Sequence, residues 1–216
     1  MASAATEQAA PLSAPAASAA PEAARGATAN VVQILRERGL VQEVTSEDLE
    51  SLAAQTSLSV YCGFDPTADS LHLGNLLGII VLAWFQRCGH TPVALVGGAT
   101  GRVGDPSGRS SERPVLSEEA IERNVAGIRG ILTSILERST ATAGATVPRV
   151  KVLNNLEWFG PMSFLGFLRD VGKYARVGTM MAKDSVRTRM ESEQGISFTE
   201  FTYQLLQGYD FVHLCR

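Results

Sequence analysis

The chain has 216 residues, is 45% hydrophobic and carries a formal net charge of −3, with a pI near 5.7. That suffices for one sizeable core and little more, and the acidic balance excludes a global basic field that would draw the chain to nucleic acid. Cys62, Cys88 and Cys215 are odd in number and lack C-x-x-C spacing, which argues against a disulfide framework and a zinc site and for a reducing compartment.

Residues 1–30 are nearly half alanine, with Ser, Thr and Pro interspersed and only Glu7, Glu22 and Arg25 charged. Such a segment buries too little surface to order itself. It lacks the apolar core of a secretory signal. Its composition fits an organellar transit peptide in part and a plain disordered extension equally, and does not separate the two. The first reading places the protein in a mitochondrion or plastid, the second in the cytoplasm. Residues 31–216 are predicted to form one domain.

Asn30 can cap a helix over Val31–Arg38, with Gly39 ending it. A second helix is predicted from Ser46 or Glu47, with Leu49, Leu52 and Ala53 facing inward. Both read as packing elements. Leu58–Gly63 is a short apolar run that stops before Asp65 and Pro66, as a strand does. A polar turn with Thr67, Asp69 and Ser70 follows. Leu73–Cys88 is almost wholly apolar and free of proline, which predicts a helix buried on every side. It is too short to cross a membrane. Arg87 and Gly89 form its stop signal. Val93–Val96 is a second strand, broken at Gly97 and Gly98. Strand, helix and strand make a right-handed βαβ unit, and the fold class predicted is α/β, a Rossmann-like parallel sheet with flanking helices.

The polar residues of this unit fall where an α/β sheet binds ligands, beyond the carboxyl ends of its strands. Thr67, His72 and Gly74 lie at the helix start, where unpaired N–H groups and the helix dipole favour phosphate. Gly97, Gly98, Gly101, Gly104 and Asp105 would line the same crevice. The glycines permit close backbone approach, and Asp105 supplies a negative charge suited to an amine. Taken alone, the same residues also read as turn positions with a satisfied loop histidine.

Arg109 and Arg113 stand four apart in a polar loop, either solvated or holding phosphate. Ser117 can cap a long helix with Ile121, Val125, Ile128, Leu132 and Ile135 on one face, weakened by Gly127 and Gly130. Ser139–Pro148 reads as a loop and Val150–Leu153 as a strand, with Asn154 and Asn155 at its exit. Further helices are predicted at Pro161–Leu168 and Thr179–Met190. His90 and His213 are isolated, and no metal ligand set is predicted. Ser197 and Glu200 have the spacing of a capping box. Tyr203, Gln207 and Asp210 then share one face of the last helix. A phenol, an amide and a carboxylate in line suit a polar ligand, though a solvated stripe has the same spacing.

Three stretches, YCGFDPTADSLHLGN, LVGGATGRVGDPSG and FTEFTYQLLQGYD, resemble the bacterial-type tyrosyl-tRNA synthetases of the class I aminoacyl-tRNA synthetases. They occur in the family's order and span the chain from about Leu58 to Leu214. His72–Asn75 stands where that class carries its His-Ile-Gly-His signature, with Leu73 for the isoleucine and Asn75 for the second histidine.

The resemblance implies an ATP-dependent ligase that forms tyrosyl-adenylate and passes the tyrosyl group to tRNA(Tyr). It implies that Tyr61 and Asp210 bond the phenolic hydroxyl of L-tyrosine. Asp105, Tyr203 and Gln207, with Thr100 nearby, would hold the ammonium. Gly63 and Asp65 would lie near the reacting carboxylate and the α-phosphate. Thr67 and His72 would contact the outer phosphates, and Arg109 and Arg113 the leaving pyrophosphate. Cys62 and Asn75 would face the ribose, and Gly74 would let adenine lie flat on the backbone. Asn155 and Trp158 match residues near the substrate pocket, and packing explains them as well. Mg²⁺ is expected with ATP, and the family implies a homodimer.

Two other readings remain open. A related nucleotidyltransferase accounts for His72 but not for the Tyr203–Asp210 face. An inactive binding or dimerising module is favoured by the lack of a lysine-bearing KMSKS-like loop in these 216 residues. The chain resembles the front part of a synthetase, and residues 1–216 alone are expected not to charge tRNA.

Overall fold

The computed structural model describes residues 30–108, 111, 116–142 and 147–216, and the side chains of all of these except 139–142. The predicted extension, Asn30 apart, therefore lies outside the described residues.

Helix α1 is Val31–Glu37, and Asn30 caps it as predicted: Asn30 Oδ1 accepts from the N–H groups of Val32 and Gln33 at 3.0 and 3.4 Å. The Asn30 amide donates to the Glu50 carbonyl at 2.8 Å, which ties α1 to helix α2, Asp48–Gln55. Gly39 leaves α1 at φ +68°, a conformation that favours glycine. Val31, Val32 and Leu35 are buried against Ala53 and Phe85. Leu52, predicted to point inward, is 48% exposed, because Leu49 and Ala53 fill the contact with α1.

Strand β1 (Ser59–Phe64), helix α3 (Leu73–Arg87) and strand β2 (Thr91–Val96) form the predicted βαβ unit. The strands are parallel, with Tyr61 opposite Val93 and Gly63 opposite Leu95. Helix α3 departs from the prediction of burial on every side. Ile79, Leu82, Phe85 and Gln86 are buried, whereas Leu73 is 85% and Leu77 55% exposed. Composition alone could not show that only the later turns of α3 meet other elements.

Helix α4 is Thr100–Val103 and helix α5 is Glu118–Thr142. The buried stripe of α5 runs through Ile121, Ile128 and Leu132 to Leu136, not to the predicted Ile135, which is 37% exposed. The helix also continues over 139–142, where a loop was predicted. Strand β3, Lys151–Asn154, pairs in parallel with β2, Val96 opposite Asn154, and the order is β1-β2-β3.

Alternation along the strands sends Phe64, Ala94 and Val96 to one face. There they meet Ile79 and Leu82 of α3 and Ile128, Leu132 and Leu136 of α5. Burying each large aliphatic side chain contributes about 1.5–3 kcal/mol. This core holds the strand ends, and hence the crevice above them, in place.

The remaining elements are helix α6 (Leu156–Phe159), helix α7 (Phe164–Asp170), a 3₁₀ turn (Gly172–Tyr174), helix α8 (Val177–Met181), helix α9 (Asp184–Met190) and helix α10 (Phe198–Leu214). Helix α7 begins later than predicted, because Ser163 Oγ caps it by accepting from Gly166 N–H. The single helix predicted at Thr179–Met190 is divided, since Lys183 is extended at ψ 136°. Ser197 Oγ caps α10 by accepting from Glu200 N–H at 3.2 Å. The Glu200 carboxylate does not complete the predicted box. It makes a two-pronged bond to Arg189 of α9, at 2.9 and 3.0 Å. Helix α10 packs on α4, which places its polar face over the carboxyl ends of the strands.

Candidate active site

A cavity of about 380 Å³ lies beyond the carboxyl ends of β1 and β2. Tyr61 and Gly63 reach it from β1, and Asp65, Thr67, His72 and Asn75 from the β1–α3 connection and the start of α3. Gly97, Thr100 and Asp105 enter from beyond β2, and Asn155 from beyond β3. Tyr203, Gln207 and Asp210 close it from α10. The predicted polar stripe of α10 is thus a cleft wall, with Tyr203 and Asp210 buried and Gln207 exposed.

The floor is a chain of hydrogen bonds between two carboxylates. Asp65 accepts from the Thr100 hydroxyl at 2.7 Å and from the Tyr203 hydroxyl at 2.9 Å. Asn155 donates to Thr100 Oγ1 at 3.1 Å and to Asp210 Oδ2 at 3.2 Å. Trp158 Nε1 donates to Asp210 Oδ1 at 2.9 Å. Asn155 Oδ1 accepts from Ala99 N–H at 2.7 Å, so its amide orientation is fixed from behind. A network bonded at each link in this way holds its members in one geometry.

The two ends of this network differ electrostatically. Burial pushes the Asp210 carboxyl up to about 6; the Asn155 and Trp158 donors pull it down, and Asp65 adds a smaller upward push. Burial, and then the nearby Asp210 charge, pushes the Tyr61 phenol up to about 12, so it stays a proton donor at neutral pH. Tyr61 is held edge-on to Phe211 of α10, ring centroids 5.0 Å apart. At the other end, Asp65 and Asp105 put two carboxylates beside Tyr203 and Gln207, which suits a cation. Asp105 also accepts from Ser107 N–H at 2.8 Å, which fixes its turn.

Gly97 is required by close approach. A Cβ there would lie 2.0 Å from Asp65 Oδ1 and 2.4 Å from Thr100 Oγ1. The approach predicted for this glycine toward a ligand is, in the structure, an approach to the carboxylate network.

The structure brings together Tyr61, Gly63, Asp65, Thr67, His72, Asn75, Thr100, Asp105, Tyr203, Gln207 and Asp210. Cys62 and Gly74 do not line the cavity. Cys62 points the opposite way from Tyr61 and Gly63 on β1, packing against the core, where its sulfur would lie 2.9 Å from a Cβ on Gly78. Gly74 sits under the His72 imidazole, 3.0 Å from where its own Cβ would be. Asp65 engages Thr100 and Tyr203 within the cavity. Arg109 and Arg113 lie outside the described residues. Asn75 Oδ1 accepts from His72 N–H at 3.1 Å, which orients this signature pair.

Asn155 and Trp158, which packing explained equally well from sequence, are direct partners of Asp210. The usable signal was their place just past a strand of a parallel sheet. His213 stacks on Trp158, centroids 4.2 Å apart, and His90 is buried, its Nδ1 accepting from Leu58 N–H at 3.2 Å. Among the described residues no cluster of three or more His, Cys, Asp or Glu could hold a metal, and no helix is long and apolar enough to cross a membrane.

The chain is 60% identical over 190 residues to the chloroplastic/mitochondrial tyrosine–tRNA ligase of Arabidopsis thaliana, which covers 87% of this chain and 36% of that protein. It is 59% identical over 185 residues to the tyrosine–tRNA ligase of Protochlamydia amoebophila, covering 86% and 42% of the two. It therefore spans well under half the length of these curated relatives. A C-terminally truncated mitochondrial tyrosyl-tRNA synthetase from Aspergillus nidulans superposes with a TM-score of 0.79 at 37% identity, over 86% of this chain and 54% of that one. The sequence profile of the tRNA synthetases class I (W and Y) matches residues 53–216, which include every residue of the cleft, and the chain belongs to that family.

Proposed function

We propose that the cleft binds L-tyrosine and ATP and that the protein is a tyrosine–tRNA ligase when it has the length of its relatives. The observation that carries this reading is the Asp210 site. A buried carboxylate lies beside the Tyr61 phenol, with Asn155 and Trp158 fixing it from behind. A ligand hydroxyl between Tyr61 and Asp210 would pair both groups. Asp65, Asp105, Tyr203 and Gln207 would then receive the ammonium at the other end of the cleft. The relatives' names supply the substrate class.

In this reading Thr67 and His72 face the outer phosphates. The amide of Asn75 faces the ribose. Cys62 and Gly74 act from just outside the cleft wall. The tyrosine carboxylate attacks the α-phosphorus of ATP. A carboxyl-oxygen-to-phosphorus bond forms, the bond to the β-phosphate oxygen breaks, and pyrophosphate leaves. The carboxylate is already ionised, so no general base is needed. Catalysis is positioning plus stabilisation of charge moving onto the leaving phosphates. A tRNA hydroxyl then takes the tyrosyl group, and AMP leaves. Mg²⁺ would arrive with the nucleotide.

The reading includes a homodimer. Phe164, Leu165 and Leu168 of α7 are 65%, 76% and 41% exposed, an apolar face suited to a second copy. A single monomeric species in sedimentation equilibrium of the extended protein would count against it. The similar organellar and bacterial relatives support an organelle of bacterial descent as the site of action.

The test is tyrosine-dependent ATP–pyrophosphate exchange in the chain extended to the length of its relatives. Exchange is expected with tyrosine. His72→Ala should lower kcat by about 10²–10³ with tyrosine affinity nearly intact, because its bond strengthens as charge moves. Exchange with no amino acid preference would overturn the reading.

A further inference from the structure

The connection between β1 and α3 is seated on one face of α5. At its start, Asn124 Nδ2 donates to the Pro66 carbonyl at 3.0 Å. In its middle, the Asp69 carbonyl lies directly on Gly127: a Cβ there would be 2.3 Å from that oxygen and 3.2 Å from its carbon. At its end, Leu71 packs on the core that contains Ile128, itself 1% exposed. Positions 124, 127 and 128 are i, i+3 and i+4, one face of a helix. Pro66 is buried as well, and a Cβ on Gly101 would lie 2.8 Å from its ring.

A glycine inside a helix costs about 1 kcal/mol relative to alanine. Gly130, one turn further along α5, has nothing within 4 Å of its Cβ position. Two glycines of the same helix thus differ sharply: one faces open space and the other a backbone carbonyl that no side chain could accommodate. The carbonyl belongs to the loop that carries Thr67 and leads to His72.

We propose that Asn124 and Gly127 are positioning residues for the triphosphate end of the cleft, acting by seating residues 66–71 on α5; this rests on the reading that the cleft binds ATP. Neither residue lines the cavity. Both act through the loop backbone. Donors to a phosphate are effective only when held in place before the charge arrives. A Cβ at 127 must push Asp69 outward, and the shift passes to Thr67 and His72. The phenol end is carried by Tyr61, Asp210 and the residues behind them, and the carboxylate of Asp65, which adjoins this loop, is held by Thr100 and Tyr203 from other elements.

The experiment uses the extended chain and measures exchange kinetics with Gly127→Ala, Asn124→Ala and Gly130→Ala. Gly127→Ala and Asn124→Ala should raise KM for ATP about tenfold or more and leave KM for tyrosine within about twofold. Hydrogen exchange across residues 66–71 should quicken in both. Gly130→Ala should change neither constant. If Gly127→Ala fails to fold, Asn124→Ala decides alone, since alanine is the better helix former. Parallel loss of both substrates, or an unchanged KM for ATP, would overturn the proposal. A wild-type protein without tyrosine-dependent exchange would instead overturn the function on which it rests.

Discussion

In the proposed reading, Asp210 is the residue whose chemistry sets the tyrosine end of the cleft. It is 3% exposed, its carboxyl is pushed up to about 6 by burial, and its two protein donors favour the ionised form. A ligand phenol that donates to it also favours the ionised form. Affinity for L-tyrosine should therefore fall as pH drops through about 6, and Asp210→Asn should abolish that dependence. Titration calorimetry between pH 5 and 8 checks this; a flat profile in the wild-type chain would contradict it. The stability sign is opposite. An unfolded aspartate titrates near 3.9, so between that value and about 6 the folded chain binds more protons than the unfolded one. Stability contributed by this group is therefore present at low pH and is lost as pH rises through about 6.

At the scale of elements, the Arg189–Glu200 pair fixes where α10 begins. Arg189 is 0% and Glu200 5% exposed, and Arg189 also donates to Ser192 Oγ at 2.9 Å. Glu200 lies one turn before Tyr203, so this anchor sets the face that closes the cleft. Arg189→Met leaves Glu200 buried without its partner and should cost about 3–5 kcal/mol in urea unfolding, because breaking one side of a buried pair strands the other charge. Replacing both by Met should recover most of that stability, since an apolar pair of like volume needs no compensation. Equal losses in the single and double variants would contradict this account. Sequence spacing pointed elsewhere, because Ser197 and Glu200 match a local capping pattern and the true partner stands eleven residues upstream. The βαβ unit was legible for the opposite reason. Its strand ends, its helix stop at Arg87 and Gly89 and its helix length are all local features. The stripe on α5 slipped only at its last position, where Ile135 and Leu136 both continue a helical spacing and the packing of α3 and β2 decides between them.

At the scale of the whole molecule, three segments far apart in sequence converge on one small volume: the ends of β1 and β2, the exit of β3, and α10. Tyr203 reaches Asp65 across 138 positions, and Trp158 reaches Asp210 across 52. Most of the cleft was legible, because resemblance over three motifs carries tertiary information that spacing does not. Asn155 and Trp158 stayed ambiguous, since nothing local separates a packing tryptophan from one whose indole N–H serves a carboxylate. Cys62 lies outside the cavity lining, and a motif match does not say which face of a strand a residue takes.

The central claim is that this cleft selects a phenol. It is tested most directly by calorimetric titration of the 216-residue chain with L-tyrosine and with L-phenylalanine. Phenylalanine would leave the Tyr61 hydroxyl without a ligand partner and deprive Asp210 of a third donor beyond Asn155 and Trp158, a cost of about 1–3 kcal/mol. The chain is predicted to bind tyrosine at least about tenfold more tightly, and Tyr61→Phe to narrow the gap. Equal affinity of the wild-type chain for the two amino acids would contradict the account.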